Sequence, residues 1–248
     1  MSSSEPRSVV SVAPGVVFVE GPVSNWVVLA EEDGVALIDA GYPADTDLVL
    51  DTVRYAGHDL DDLRRIYVTH GHVDHVGGIP GILEQHPHVE VLAHADELSN
   101  VRGPSRQQVT PAEIGGRLAS ARVLRWLARA IRSDALRPTT VPSVRAFTGA
   151  DFEGRAITPF PATGHTDGST AYLLPAADAI VTGDAVVSRH DTQPASWTPR
   201  PRMITPFFTA DQAVALESAR ALPIPEIVLP GHGPAVHRVG REWVPVGS

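Results

Sequence analysis

Cysteine is missing from the 248-residue chain, and so is lysine: all 20 basic side chains are arginine. Without cysteine there is no thiol nucleophile, no disulfide, no iron–sulfur cluster and no Cys-ligated zinc. Without lysine there is no Schiff-base or P-loop lysine. Long apolar runs are missing too. None approaches the roughly 20 residues of a membrane span, so no membrane association is expected. Positive charge is in deficit, with 20 arginines against 29 acidic residues and a net charge of −9. An acidic surface gives little general affinity for nucleic acid, where basic side chains supply most of the binding. Histidine is what the chain has in plenty, with 11 copies. Demanding chemistry is therefore left to carboxylates and imidazoles.

The order of elements reads as α/β. Val16–Glu20, Asn25–Ala30 and Val35–Asp39 are short Val-rich runs between turn residues, which predicts an antiparallel meander. Asp45–Tyr55 has helical spacing and stops at Gly57, and Arg65–Thr69 is the next strand. A short helix at Ile79–Gln85 and a strand at Val89–Ala93 follow. From about 100 to 140 the pattern turns helical. Thr110-Pro111-Ala112-Glu113 is a capping box that starts a helix, which Gly115-Gly116 bends early. Ala121, Leu124, Leu127, Ala128 and Ile131 form one apolar stripe beside a row of Arg122, Arg125, Arg129 and Arg132. Strands resume at Ala156–Pro159, Ala171–Leu174 and Ala179–Thr182. A second capping box, Thr209 to Gln212, opens a helix to about Ala221, and Ile227–Leu229 is the last strand expected. One domain spans residues 1–248, with 1–8 a loose Ser-rich tail. That tail has no apolar signal core, which points to the cytoplasm.

The chemistry concentrates in Thr69-His70-Gly71-His72-Val73-Asp74-His75, directly after a strand. In extended backbone, residues i and i+2 face one side, so His70 and His72 can grip one ion together. Asp74 and His75 are neighbours and point apart, which leaves one of them to face a second ion. Imidazole with carboxylate suits zinc, and iron or manganese as well. Three further segments repeat a strand, a turn of small residues and a ligand-type side chain. They are Thr163-Gly164-His165, Thr182-Gly183-Asp184 and Pro230-Gly231-His232. Together the four segments offer five His and two Asp at strand ends, where α/β folds build their sites.

These motifs, in this order from the opening strands to His232, resemble the metallo-β-lactamase-fold hydrolase superfamily. The resemblance implies a four-layer αβ/βα sandwich, here with a helical insertion. It implies His70, His72 and His165 on a first divalent ion, Asp74, His75 and His232 on a second, and Asp184 as the bridge. Asp39, at the end of an early strand, is implied as a group that steadies a ligand. Such a site uses a metal-bridging hydroxide to cleave a small ester, thioester or lactone, with Asp74 the catalytic group that orients the nucleophile and takes its proton. Two zinc ions are the expected cofactor. A bridging aspartate argues against a true β-lactamase and for the branch similar to glyoxalase II and the lactonases. Only 16 residues follow His232, so the helical domain with which glyoxalase II holds its glutathione thioester is not expected.

The pocket walls are expected from the helical stretch and from the loop after Asp184, with Tyr42, His190, Trp197, Phe207 and Phe208 as substrate contacts. The plainer reading of the arginine row is a solvated face. The partner is a small-molecule substrate, with no nucleic acid, and a homodimer is an assembly this reading admits. Two other functions stay open on the same residues. One is a mononuclear iron enzyme similar to persulfide dioxygenases, and the other is a non-catalytic, metal-stabilised binding protein.

Overall fold

A computed structural model describes residues 5–103, 107–115, 117–194 and 196–247. Among these residues thirteen strands make two sheets. The first sheet opens as the expected meander: β1 (Ser8–Ala13), β2 (Val16–Glu20), β3 (Asn25–Glu31) and β4 (Gly34–Ile38), each antiparallel to the next. Helix α1 (Thr46–Tyr55) then carries the chain back, so that β5 (Leu63–Tyr67) lies parallel to β4. The short helices α2 (Val73–Val76) and α3 (Ile79–Gln85) lead to β6 (Glu90–Ala93), which runs parallel to β5. Three helices follow, α4 (Leu98–Arg102), α5 (Pro111–Gly115) and α6 (Ala121–Arg132), before the two-residue β7 (Arg145–Ala146) closes this sheet.

The second sheet holds β8 (Thr158–Pro161), β9 (Thr170–Leu174), β10 (Ala179–Gly183) and, after helix α7 (Gln212–Ala221), β11 (Ile227–Pro230), β12 (Val236–Val239) and β13 (Glu242–Pro245). Its spatial order is β13-β12-β11-β10-β9-β8, with β10 and β11 the parallel pair. The sheets meet through one apolar layer. Phe18, Val27, Leu29 and Ile38 from the first pack with Tyr172, Leu174, Val181 and Leu229 from the second. On the far face of the first sheet, Leu37 and Ile66 bury against Val49, Leu50 and Val53 of α1 and Ile79 and Ile82 of α3. Ile180 and Val228 pack outward on the second sheet with Leu222, the residue that follows α7. Helix, sheet, sheet, helix is the four-layer sandwich expected. Each fully buried large aliphatic residue contributes roughly 1.5–3 kcal/mol of hydrophobic stabilisation.

Several sequence expectations need correction. The chain pairs earlier than expected: β1 begins at Ser8, and the N–H of Arg7 donates to Glu20 O at 2.7 Å. Residues 1–4 of the expected tail, and Gly116 of the expected bend, lie outside the described residues. Strand β1 is half-buried apart from the exposed Ser11, so it carries no alternation to read. The chain also continues past Ile227–Leu229 into two short strands, β12 and then β13, which forms the edge. The strand expected at Ala156–Pro159 sits two residues later, with Pro159 and Pro161 tolerated because β8 is an edge. At Thr110 the capping box forms, with Glu113 Oε2 accepting from the Thr110 N–H at 2.8 Å. At Thr209 it does not: Asp211 caps α7 instead, accepting from the N–H groups of Ala213 and Val214.

Candidate metal centre

The two parallel pairs, β4–β5 and β10–β11, bring four carboxyl ends to one edge of the sandwich. Asp39 follows β4, the His70–His75 segment follows β5, Asp184 follows β10 and His232 follows β11. His165 joins them from the turn between β8 and β9. Cross-sheet hydrogen bonds hold this edge together. The Thr170 N–H donates to Thr69 O at 2.9 Å, and Tyr172 Oη donates to Val68 O at 2.9 Å. Asn25 Nδ2 donates to Pro230 O at 2.8 Å and to Gly233 O at 2.7 Å, fixing the His232 turn against the first sheet. Gly231 is required there, because a Cβ would stand 2.3 Å from Asp184 Oδ1.

The structure gathers all seven expected ligand residues into two adjoining groups. His70, His72, His165 and Asp184 form one, and Asp74, His75 and His232 the other, with ligand atoms in each lying within 4.8 Å of one another. Asp184 reaches both, with Oδ1 3.4 Å from His75 Nε2 and Oδ2 3.7 Å from His165 Nε2 and 3.3 Å from His232 Nε2. Asp74 Oδ2 lies 3.3 Å from His232 Nε2 and 3.8 Å from His75 Nε2. The local geometry around Asp74 departs from the extended reading. Val73–Val76 is a helical turn, so the neighbours Asp74 and His75 converge on one group instead of pointing apart.

Four of the five imidazoles are aimed by their second nitrogen, while His165 Nδ1 is buried without a partner. His75 Nδ1 lies 2.8 Å from Asp39 Oδ2, His70 Nδ1 3.0 Å from Thr69 Oγ1, His232 Nδ1 2.9 Å from Val23 O, and His72 Nε2 2.6 Å from Gln107 O. Asp39 also accepts from the N–H and the hydroxyl of Thr69, at 2.8 and 2.7 Å. Glu97, which nothing in the local sequence marked, ties the two histidine segments together. It is fully buried and accepts from the Gly71 N–H (2.7 Å), Asn100 Nδ2 (2.9 Å), Thr166 Oγ1 (2.8 Å) and the Gly168 N–H (2.9 Å).

The inward atoms are left open. His70 Nε2, His75 Nε2 and Asp184 Oδ1 are buried without any hydrogen-bond partner, which costs stability unless something else binds them. Electrostatics agree. Burial and neighbouring histidines push His70 down, and the same causes take His165 to about 3. Burial opposes charge on His232, but Asp184 and Asp74 raise it to about 10. Burial likewise works against ionised Asp184, yet His232 and His75 hold its carboxyl well below the usual range. His70 and His165 are held neutral, and the proton the two carboxylates hold on His232 stands where a divalent cation would displace it, so the donor set is one such a cation takes. The residues present fit a metal pair.

A cavity of about 310 Å³ opens on this centre, and Asp74, Asp184, His72 and His232 form its floor. Of the expected substrate contacts, Tyr42, His190 and Phe208 line it. Phe207 packs edge-on against Phe208 from outside, under the Arg117 guanidinium. Trp197 does not reach the cavity. It packs under Arg202 on a separate depression with Arg241 and Trp243. The roof comes from α6, whose inward face is shifted from the expected stripe. Val123, Trp126, Leu127 and Ala130 turn inward; of the expected stripe Leu127 and the half-exposed Ile131 line the cavity, while Ala121, Leu124 and Ala128 are exposed. Trp126 was the residue to find; the same 3.6-residue period, started one position earlier, passes through it.

A two-sheet sandwich with His and Asp side chains gathered at one edge defines a class of metal-binding α/β proteins. Residues 19–232 match the family model of the metallo-beta-lactamase superfamily, and the chain belongs to that superfamily of metal-dependent hydrolases. It is 28% identical over 210 residues to the probable metallo-hydrolase YflN of Bacillus subtilis, covering 82% of this chain and 77% of that one. A shorter stretch of 74 residues is 38% identical to the hydroxyacylglutathione hydrolase of Photorhabdus laumondii, 30% of this chain and 27% of that protein. Among solved structures, the subclass B3 metallo-beta-lactamase MEM-A1 from a soil metagenome superposes with a TM-score of 0.62, covering 93% of this chain and 81% of that one. At 20% identity that likeness is one of fold.

Proposed function

We propose that the chain hydrolyses a small ester, thioester or lactone at a two-ion centre, zinc being the ion its donors suit best. The observation that carries this reading is the completeness of the second group: Asp74, His75 and His232 stand beside the first four residues with Asp184 between them. A single-ion oxygenase would need only the first group. Held there, a divalent pair supplies Lewis acidity and lowers the pKa of water from 15.7 towards 7. The chain's own residues do the rest. Burial opposes charge on Asp74, yet His75 and His232 hold its carboxyl well below the usual range, so it stays ionised and can orient a water over the cavity floor by accepting its hydrogen bond. Asp184 keeps the two groups at a fixed separation. Ile114, Leu127, Ala130 and Phe208 keep the walls apolar, which suits an acyl group and excludes bulk water. The partial likeness to a hydroxyacylglutathione hydrolase supports the thioester among these bonds. A small-molecule substrate and a cytoplasmic setting belong to the same proposal.

Metal analysis of purified protein with a panel of nitrophenyl esters, thioesters, lactones and β-lactams tests it. Two zinc per chain with turnover of an ester, thioester or lactone is the expected result. One iron per chain with thiol-dependent oxygen uptake would overturn it, and so would bound metal with no turnover on any member of the panel.

A further inference from the structure

On the far side of His190 from the metal centre lies a second pocket, of about 400 Å³, lined by five arginines. They come from three parts of the chain. Arg7 stands just before β1, Arg122, Arg125 and Arg129 lie along one face of α6, and Arg189 is in the loop after β10. Two carboxylates answer them. Asp191 lies 2.8 Å from both Arg7 and Arg129, and Glu20 lies 3.6 Å from Arg7 and 3.7 Å from Arg189. Five guanidiniums against two carboxylates leave a local charge of +3 in a chain whose net charge is −9. Among the described residues no carboxylate stands within 4.0 Å of Arg122 or Arg125.

Like charges three and four residues apart on a helix destabilise it, so an anion bound beside Arg122 and Arg125 would stabilise α6. The guanidinium fork matches phosphate oxygens two at a time, with stronger bonds than a neutral donor gives. Asp191 already orients two of the five forks. The pocket also touches the reaction site. His190 lines both cavities, and its ring centroid is 4.8 Å from that of His232.

We infer that the arginine pocket binds a phosphate-bearing arm of the substrate, while the scissile bond lies over the metal ligands and the acyl part fills the apolar cavity. This rests on the hydrolase reading for its second half; anion binding by the five arginines does not. The row on α6 is then not a solvated face but one wall of a subsite.

Two measurements on the purified holoprotein separate these parts. In the first, pyrophosphate is titrated calorimetrically into wild type and into the Arg122→Glu/Arg125→Glu double variant. Both carry the same metal centre, so the difference in Kd reports the arginine pocket. Binding at least about tenfold weaker in the variant is expected. In the second, kcat/KM is compared for two nitrophenyl esters alike except for a phosphate on one. The variant should lower the phosphate-to-neutral ratio at least about tenfold, and Arg189→Ala, on a different element, should lower it in the same direction. Equal Kd values together with an unchanged ratio would overturn the inference. A weakened Kd with neither ester turned over by wild type would uphold the anion pocket and sink the hydrolase reading instead.

Discussion

Asp39 Oδ2 stands 2.8 Å from Nδ1 of His75, a residue 36 positions further along the chain, and the two side chains are buried to 2% exposure or less. A carboxylate oxygen only accepts, so this contact keeps a hydrogen of His75 on Nδ1 and aims Nε2, the atom left to take a metal, at Asp184 and Asp74. The backbone at Asp39 has φ of 63°, a left-handed conformation that Asp and Asn both tolerate.

Asp39→Asn should therefore keep the turn and spoil the tautomer. With its carbonyl oxygen on the Thr69 N–H, the new amide turns an N–H₂ toward His75 Nδ1, which moves the ring hydrogen to Nε2 and blocks that ligand atom. Affinity for one of two metal ions should fall about 10–100-fold, as for loss of other such supporting groups. Competition against a coloured chelator measures it. Unchanged affinity for both ions would show that Asp39 does not set the ligand.

Glu97→Gln should weaken the frame under the centre. All four donors on Glu97 point inward at two oxygens, two on each. Whichever way the amide is turned, its N–H₂ meets a backbone N–H, from Gly71 or from Gly168. One buried donor is then left unmatched, at a cost of about 1–3 kcal/mol. Urea unfolding of variant and wild type reads the loss directly. A change within about 0.5 kcal/mol, near the scatter of ordinary surface substitutions, would contradict it.

The metal site was legible because its residues cluster in sequence. His70, His72, Asp74 and His75 follow one strand, and Gly-flanked His165, Asp184 and His232 each end another. The support for that site was not legible for the opposite reason. Glu97 acts through partners at 71, 100, 166 and 168, and no local pattern joins those positions. Strands with a buried face were visible as Val-rich runs, while β1, β12 and β13, which bury only Val236 among them, had no periodicity to show. On α6 the period was right and the phase was wrong. Arginines and apolar residues cover both exposed faces of that helix, so composition alone favoured a neighbouring stripe.

Trp126→Ala should open the roof of the cavity without touching a ligand. Its indole packs 5.5 Å from the Phe208 ring and 6.0 Å from that of His190, centroid to centroid. Burying one large apolar side chain against a partner is worth roughly 1.5–3 kcal/mol, so KM for a long acyl chain should rise about tenfold or more. For an acetyl ester, too short to reach the roof, the rise should be smaller. Steady-state kinetics on a series of acyl lengths gives the comparison. A uniform change across the series would place Trp126 in the frame and not in the acyl pocket.

Asp45 is the residue whose ionisation the fold resists most plainly. It is fully buried at the start of α1, Oδ2 accepting from the Tyr42 N–H at 3.0 Å and Oδ1 having no partner. Burial raises its pKa to about 6 against the pull of the Tyr42 N–H, and the Asp74 charge adds to the rise. A carboxyl raised on folding binds its proton more tightly in the native state than in the unfolded one. Asp45 should therefore take on the order of 3 kcal/mol from the stability of wild type as pH rises from about 4 to about 6, and its own contribution should change no further above that. In the Asp45→Asn variant the amide has no proton to lose and still offers an oxygen to the Tyr42 N–H. The stability of that variant relative to wild type should thus climb by the same amount between about pH 4 and pH 7.5, whatever its offset at the lower pH. Paired urea titrations at the two pH values measure the climb, and a constant difference between them would remove Asp45 from the acid side of this protein's stability curve.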